Sequence, residues 1–96
     1  MKEEKILTEN EIYTIYKEAE KLQFEGDYQS ALNKFKSARK AYSCLYTELH
    51  ESVLSCYLGE ACIYRTIQRT DAAYVLFHLA LLIAKEINFK SFRFPS

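Results

Sequence analysis

Residues 19–38, AEKLQFEGDYQSALNKFKSA, carry the pattern that decides the fold. Two amphipathic stretches meet at Gly26 and Asp27. A Gly at this place ends one helix, and the Asp that follows it caps the next. Beyond the turn, Ala31 and Phe35 begin an apolar row at the spacing of one helix face. The segment therefore predicts a helical hairpin.

The rest of the chain continues the helical pattern and predicts an all-α fold of four antiparallel helices. Thr8 and Glu11 form a capping box at the start of the first helix, which ends at Gly26. We expect the other helices over residues 28–43, 48–67 and 71–88, with a short aromatic tail after them. Only two Gly and one Pro occur among 96 residues, so few positions favour a break.

An internal repeat appears when the sequence is shifted by 42 residues. Around the identical residues of this alignment, apolar positions fall mostly on apolar positions, and two units would run over residues 12–53 and 54–95 in a single domain. The identical pairs include Ala19 and Ala61, Ala31 and Ala73, Phe35 and Phe77, Ala38 and Ala80, and Glu18 and Glu60.

The order of these residues resembles the tetratricopeptide repeat (TPR). The shared pattern is a small residue, a large residue, a Gly-Asp-Tyr turn, and then Ala, Phe and Ala. The 42-residue period is similar to that of the longer TPR variety found in kinesin light chain and Rap-type regulators. The second unit departs from the pattern, because Gln68-Arg69-Thr70 replaces the turn. The resemblance implies two helix-turn-helix repeats and a protein–protein interaction module, whereas a generic four-helix bundle is the alternative.

In TPR proteins the first helix of each pair lines a groove, so the resemblance also implies a partner-binding groove here. The corresponding residues are Tyr13, Tyr16, Glu20, Gln23, Ser55, Leu58, Cys62 and Arg65. One TPR type grips a terminal carboxylate with Lys and Asn, but Tyr16, Glu20 and Gly59 stand at those positions. We therefore expect an aromatic groove for an apolar peptide or helix, unless two repeats are too few to form one.

Composition and charge argue against several other functions. Thirteen basic residues balance thirteen acidic ones, which is not the basic footprint of a nucleic-acid or membrane-surface binder. The longest apolar run, residues 72–84, is shorter than a membrane span. Three Cys at irregular spacing indicate reduced thiols rather than a disulfide framework. These features predict a cytoplasmic protein.

No catalytic or metal-binding pattern was found, and we expect neither an enzyme nor a cofactor. His50 and His78 are far apart and lack metal-ligand spacing. Each Cys is interpreted as structural, and Cys62 lies near the small-residue positions of the core. The basic residues Lys34, Lys36, Arg39 and Lys40 could bind an acidic partner, but a solvated helix face opposite the acidic first helix explains them better.

The fourth helix is apolar on nearly all sides, which predicts burial on nearly all sides. Its outward positions correspond to polar positions of the second helix, and most have become aliphatic. The predicted association face consists of Val75, Leu76, Leu79, Leu81 and Leu82. We expect a second copy to cover it in a homodimer, ahead of a different protein or the tail. The alternatives are a compact bundle with this helix at its centre, a structural homo-oligomer, or a small regulatory subunit without a peptide groove.

Overall fold

A computed structural model describes residues 6–92, and the side chains as far as Phe89. Four α-helices make up the fold: α1 (Glu9–Glu25), α2 (Tyr28–Leu45), α3 (Glu51–Thr66) and α4 (Thr70–Phe92). Each helix packs against the next one in the chain, and α1 also touches α3. Within the described residues α4 contacts α3 alone. The all-α prediction of four helices is confirmed, and α4 is not the centre of a bundle.

The first helix begins and ends as predicted. The Thr8 hydroxyl accepts from the amide of Glu11, and the Glu11 carboxylate accepts from the amide of Thr8 at 2.8 Å. At the other end Gly26 has φ of +89°, and Asp27 caps α2 by accepting from the amide of Ser30. Local hydrogen bonds thus set both ends of α1 and the start of α2.

The turns inside the two hairpins have the same backbone hydrogen bonds, 42 residues apart. In the first, the amides of Gly26 and Asp27 donate to the carbonyls of Gln23 and Leu22. In the second turn, Gln68 and Arg69 donate to Arg65 and Tyr64. Gln68 has φ of +65°, so it takes the left-handed conformation of Gly26 without being glycine. The offset of 42 residues between the two turns equals the period of the internal sequence repeat.

The connection between α2 and α3 differs from the prediction. The helix α2 continues to Leu45, and α3 begins at Glu51 rather than near residue 48. In between, the Thr47 hydroxyl accepts from the amide of Leu49 at 3.1 Å. The Nδ1 atom of His50 then accepts from the amide of Ser52 at 3.0 Å and caps α3. These side-chain hydrogen bonds to the backbone stabilise a non-helical connection between α2 and α3.

The end of α4 also differs from the prediction. The helix runs to Phe92, so residues 89–92 belong to it rather than to a tail. Residues 93–96 of the predicted tail lie outside the described residues. No Gly or Pro interrupts residues 70–92, which is consistent with an unbroken helix.

The core lies between α1, α2 and α3. Two clusters of buried residues fill it, one around Ile12 and Tyr42 and the other around Phe35 and Ile63. Gly59 lets α3 approach α2 closely, since a Cβ there would lie 2.7 Å from the Phe35 ring. By contrast, Ala73 and Ala80 are the buried residues of α4 among those described. The last helix therefore adds little to the core.

Candidate interaction surfaces

The main candidate surface is the side of α4 that faces away from α3. Six large apolar side chains there are between 38% and 71% exposed. We call this set the α4 face: Tyr74, Val75, Leu79, Leu81, Leu82 and Phe89. In the single chain α3 covers one side of α4, so the predicted burial of α4 on nearly all sides requires a further cover, such as the expected second copy. Contiguous apolar patches of this kind mark interaction sites on soluble proteins.

The α4 face contains four of the five residues predicted for association. The fifth, Leu76, is half-buried and lines a cleft of about 350 Å³ between α2, α3 and α4. Tyr74 and Phe89 are not among the residues predicted for association. Tyr74 corresponds to Leu32 of α2, which packs in the Phe35 cluster, so the repeat alignment contained a signal for it. Phe89 was assigned to the tail.

By length and composition, the described part of the chain contains one segment that could cross a membrane, residues 70–89. Its mean hydropathy is 1.4, and 11% of it is buried. The uncharged run of residues 72–84 is shorter than a membrane span, but the continuous helix extends the apolar segment by about a turn at its end. The same residues thus form the α4 face and a segment of membrane-spanning length.

A second candidate surface is a pocket of about 140 Å³ between α1, α2 and α3. We call it the tyrosine pocket. It is lined by Tyr13, Tyr16, Tyr42, Ser52 and Ser55. The structure thus brings three of the predicted groove residues together here, Tyr13, Tyr16 and Ser55. Tyr42 and Ser52 were missed, although Tyr42 lies on the predicted apolar face of the second helix.

The remaining predicted groove residues lie outside this pocket. Leu58, Cys62 and Arg65 are exposed on α3, while Glu20 and Gln23 are half-buried on α1. The interpretation of Cys62 as a core residue is wrong, because position 62 of α3 faces solvent; the buried thiol is Cys56. The predicted groove is therefore shorter than the full set of residues implies.

The tyrosine pocket combines aromatic rings with hydroxyl groups that stay protonated. Burial, followed by the charge of Glu20, raises the pKa of Tyr16 to about 12. Burial also raises the pKa of Tyr42. At its edge Lys17 pairs with Glu20 at 2.8 Å and lies 5.8 Å from the centre of the Tyr13 ring. The pocket therefore presents hydrogen-bond donors and apolar ring faces, as peptide-binding sites do.

The basic residues of α2 are partly paired within the chain. Arg39 donates to both carboxylate oxygens of Glu60, at 2.7 and 3.4 Å, and its guanidinium lies over the Tyr57 ring. Lys34 pairs with Glu18 of α1 at 3.1 Å. Glu60 is 1% exposed, so the pair with Arg39 joins α2 to α3 in the interior. These ion pairs support a structural role for Arg39 and Lys34, two of the four basic residues considered in α2.

The thiols and histidines form no evident reactive centre. Burial, followed by the charge of Glu60, raises the pKa of the Cys56 thiol to about 12, which disfavours the nucleophilic thiolate. Over the described residues, no group of three or more His, Cys, Asp and Glu side chains could hold a metal ion. His78 stacks on Tyr74 among the residues of the α4 face, and His50 stacks on Tyr46.

Comparison with known proteins gave no family to which the chain can be assigned. No family model matches the sequence, and neither a curated protein nor a solved structure matches it. The TPR resemblance therefore remains a prediction based on the residues, and the interaction surfaces are interpreted from their own geometry.

Proposed function

We propose that this chain is a non-catalytic, cytoplasmic protein–protein interaction module of TPR type. It associates with a second copy through the α4 face and holds a peptide or helix at the tyrosine pocket. The exposed α4 face is the observation that carries the proposal. Neither metals, cofactors nor nucleic acids enter into it.

The energetics of the α4 face favour a covered state. A large aliphatic side chain left in water forgoes roughly 1.5–3 kcal/mol relative to a buried one. The α4 face has four aliphatic and two aromatic side chains, all partly exposed. Their sum is comparable with the net stability of a small domain, about 5–15 kcal/mol. Covering the face therefore stabilises the chain substantially.

A measurement of solution mass tests self-association. Light scattering after size exclusion, over about a hundredfold dilution, should give a species of about twice 11.3 kDa. Val75→Asp with Leu79→Asp should give a folded monomer. The matched control is Asn33→Asp with Ser37→Asp, which places the same charges at the corresponding exposed positions of α2. A monomeric wild type, or a control that dissociates equally, would contradict self-association.

The tyrosine pocket is tested separately with peptides selected from a displayed random library. Tyr13→Ala should weaken their binding at least tenfold, because Tyr13 is exposed at the pocket and its removal leaves the core intact. Phe24→Ala is the matched control, since Phe24 is an exposed aromatic residue of the same helix outside the pocket. Equal effects of the two variants would exclude the pocket. A dimer that binds no peptide would favour a purely structural homo-oligomer.

A further inference from the structure

The two ends of the helical stack have opposite character. Inside the stack, α2 presents Phe35 and Arg39 to α3, where Phe35 meets Gly59 and Arg39 meets Glu60. At the corresponding positions 42 residues later, α4 has Phe77 and Leu81. No helix of the described chain lies beyond them, and Leu81 is 51% exposed. The C-terminal end of the stack is thus an apolar surface.

The N-terminal end is polar instead. The α3 residues that meet α2 or fill the shared core clusters include Val53, Cys56, Gly59, Glu60 and Ile63. Their counterparts on α1 are polar and exposed, and they are Glu11, Thr14, Lys17, Glu18 and Lys21. Repeat proteins need such polar terminal helices for solubility. In this chain α1 has that polar character and α4 does not.

This difference disfavours a head-to-tail assembly of copies. In such an assembly, α1 of one copy would cover α4 of another as α3 covers α2. Glu18 would then lie where Glu60 lies inside the chain, but Leu81 would stand in place of Arg39. Glu18 pairs with Lys34 of its own chain at 3.1 Å on the surface, and covering this pair with Leu81 would remove it from water without adding a hydrogen-bond partner, which is unfavourable. Growth of a continuous solenoid is therefore opposed at each junction.

We infer that α4 of a second copy covers the α4 face, with the two helices antiparallel about a two-fold axis. This inference rests on the proposed function and specifies its partner and geometry. An isologous contact joins identical surfaces, so the apolar end meets the apolar end. Both polar α1 helices then lie at the outside of a closed dimer.

The order of residues along α4 suits this antiparallel arrangement. Tyr74 and Phe89 lie equally far from the midpoint between Leu81 and Leu82. A two-fold axis at that midpoint places each aromatic residue opposite the other one, and the Leu residues at the centre. Antiparallel helices also align their dipoles favourably.

The size of the α4 face fits a small interface. The face extends from Tyr74 to Phe89, which is roughly 22 Å along the helix. A strip of that length and two rows of side chains wide lies toward the lower end of stable interfaces, which bury about 800 Å² per partner. A membrane is a weaker explanation of the α4 face, because a spanning helix would have to separate Ala73 and Ala80 from α3, where they are now buried.

Cysteine cross-linking of the full chain tests the inference. The background is Cys44→Ser with Cys62→Ser, which removes the exposed thiols and keeps the buried Cys56. In this background Leu82→Cys should oxidise to a covalent dimer, because it lies beside its own copy at the axis. The matched control is Lys40→Cys, the corresponding exposed position of α2, and it should stay uncross-linked at the same concentration.

The direction of the helices is read from a second pair of variants. Tyr74→Cys alone should not cross-link, but mixed with Phe89→Cys it should form a dimer that contains both chains. Each reduced variant is checked by light scattering, so that loss of assembly is not mistaken for a distant cysteine. Self-cross-linking of Tyr74→Cys would indicate parallel helices and overturn the inference.

Two other results would also overturn this inference, and they differ in what they mean for the proposed function. A ladder of species when Glu18→Cys and Leu81→Cys are combined in one chain, at the positions that correspond to Glu60 and Arg39, would show head-to-tail assembly, and self-association would still stand. A wild type that stays monomeric and floats with phosphatidylcholine vesicles would overturn both, and would assign the α4 face to lipid.

Discussion

Gly59 lies where α3 comes closest to α2. A Cβ at this position would stand 2.7 Å from two carbon atoms of the Phe35 ring, and Phe35 is buried among Ala19, Ala31 and Leu32. A ring held on all sides has little room to move. Packing therefore requires a residue without a Cβ at position 59, although glycine is a poor helix former.

Gly59→Ala should lower the free energy of unfolding, although alanine favours helix. The propensity gain is about 1 kcal/mol, whereas overpacking costs about 1–3 kcal/mol, and a clash this close lies toward the upper end. We expect a net loss of about 1–2 kcal/mol in urea unfolding. Cys62→Ala on the exposed side of α3 is the control and should change stability little. A Gly59→Ala chain as stable as the wild type would contradict the packing argument.

Cys56 links stability to alkaline pH. Its thiol has a pKa of about 12 in the folded chain, raised from 9.0 by burial and then by the charge of Glu60. Above pH 9 the unfolded chain loses this proton while the folded chain keeps it, so stability falls with rising pH. Stability from this group is complete below pH 9 and is lost as the pH approaches 12.

We expect Cys56→Ala to flatten this alkaline decline. One thiol contributes a slope of at most about 1.4 kcal/mol per pH unit above pH 9. The measurement is urea unfolding at several pH values between 8 and 11, in the presence of a reductant. Cys62→Ala should keep the wild-type slope, because position 62 is exposed. An unchanged slope in Cys56→Ala would show that the thiol ionises normally in the folded chain.

Among the elements, the turn before α4 shows strain that the turn before α2 avoids. Gly26 and Gln68 both have positive φ and hold the same hydrogen bonds. A residue with a side chain pays roughly 1 kcal/mol or more in this conformation, whereas glycine does not. The second turn therefore keeps the geometry of the first without its favoured residue.

Gln68→Gly should raise the free energy of unfolding by about 0.5–1 kcal/mol, since it relieves the left-handed strain. Gln68→Ala is the matched control and should give no gain, because alanine keeps the Cβ. Gly26→Ala should lower stability by about 1 kcal/mol for the same reason. Thermal unfolding followed by circular dichroism gives all three values. A loss of stability in Gln68→Gly would mean that the Gln68 side chain stabilises the turn by contacts.

The sequence predicted elements well where the signals were local. The Thr8 and Glu11 capping box and the Gly26 turn fixed α1 and the start of α2. The start of α3 was predicted too early, because His50 caps it through a ring nitrogen and histidine is not a usual capping residue. Which predicted groove residues meet in a pocket could not be predicted, since it depends on how α1, α2 and α3 cross.

In the molecule as a whole, the main feature is the contrast between the polar surface of α1 and the apolar surface of α4. The packing runs from a polar α1 through a filled core to an apolar α4, over dimensions of 46 × 40 × 24 Å. Periodicity predicted which residues of α4 are apolar, and their exposure in the single chain leaves the predicted burial to a cover outside the described helices. The sequence indicates that α4 needs a cover, but the periodicity of its residues does not indicate which surface provides it.

Self-association through α4 should make thermal stability depend on protein concentration. Dissociation and unfolding are linked when folded copies bind one another, so dilution lowers the melting temperature. We expect a fall of several degrees over about a hundredfold dilution, because roughly 1 kcal/mol shifts a domain of this size by about 4–8 °C. The Val75→Asp with Leu79→Asp variant should melt at one temperature throughout. A wild-type melting temperature independent of concentration would contradict a folded dimer.

The α4 face also has a consequence for the abundance of the protein in a cell. Exposed apolar side chains are what quality-control chaperones and proteases bind, so a copy without a partner is the one removed. At high concentration most copies are paired and protected, whereas at low concentration most copies are single and are degraded. The degradation rate therefore depends on the amount of protein present. We expect the half-life in a pulse-chase experiment to lengthen as expression rises. A constant half-life would mean that single copies escape this surveillance.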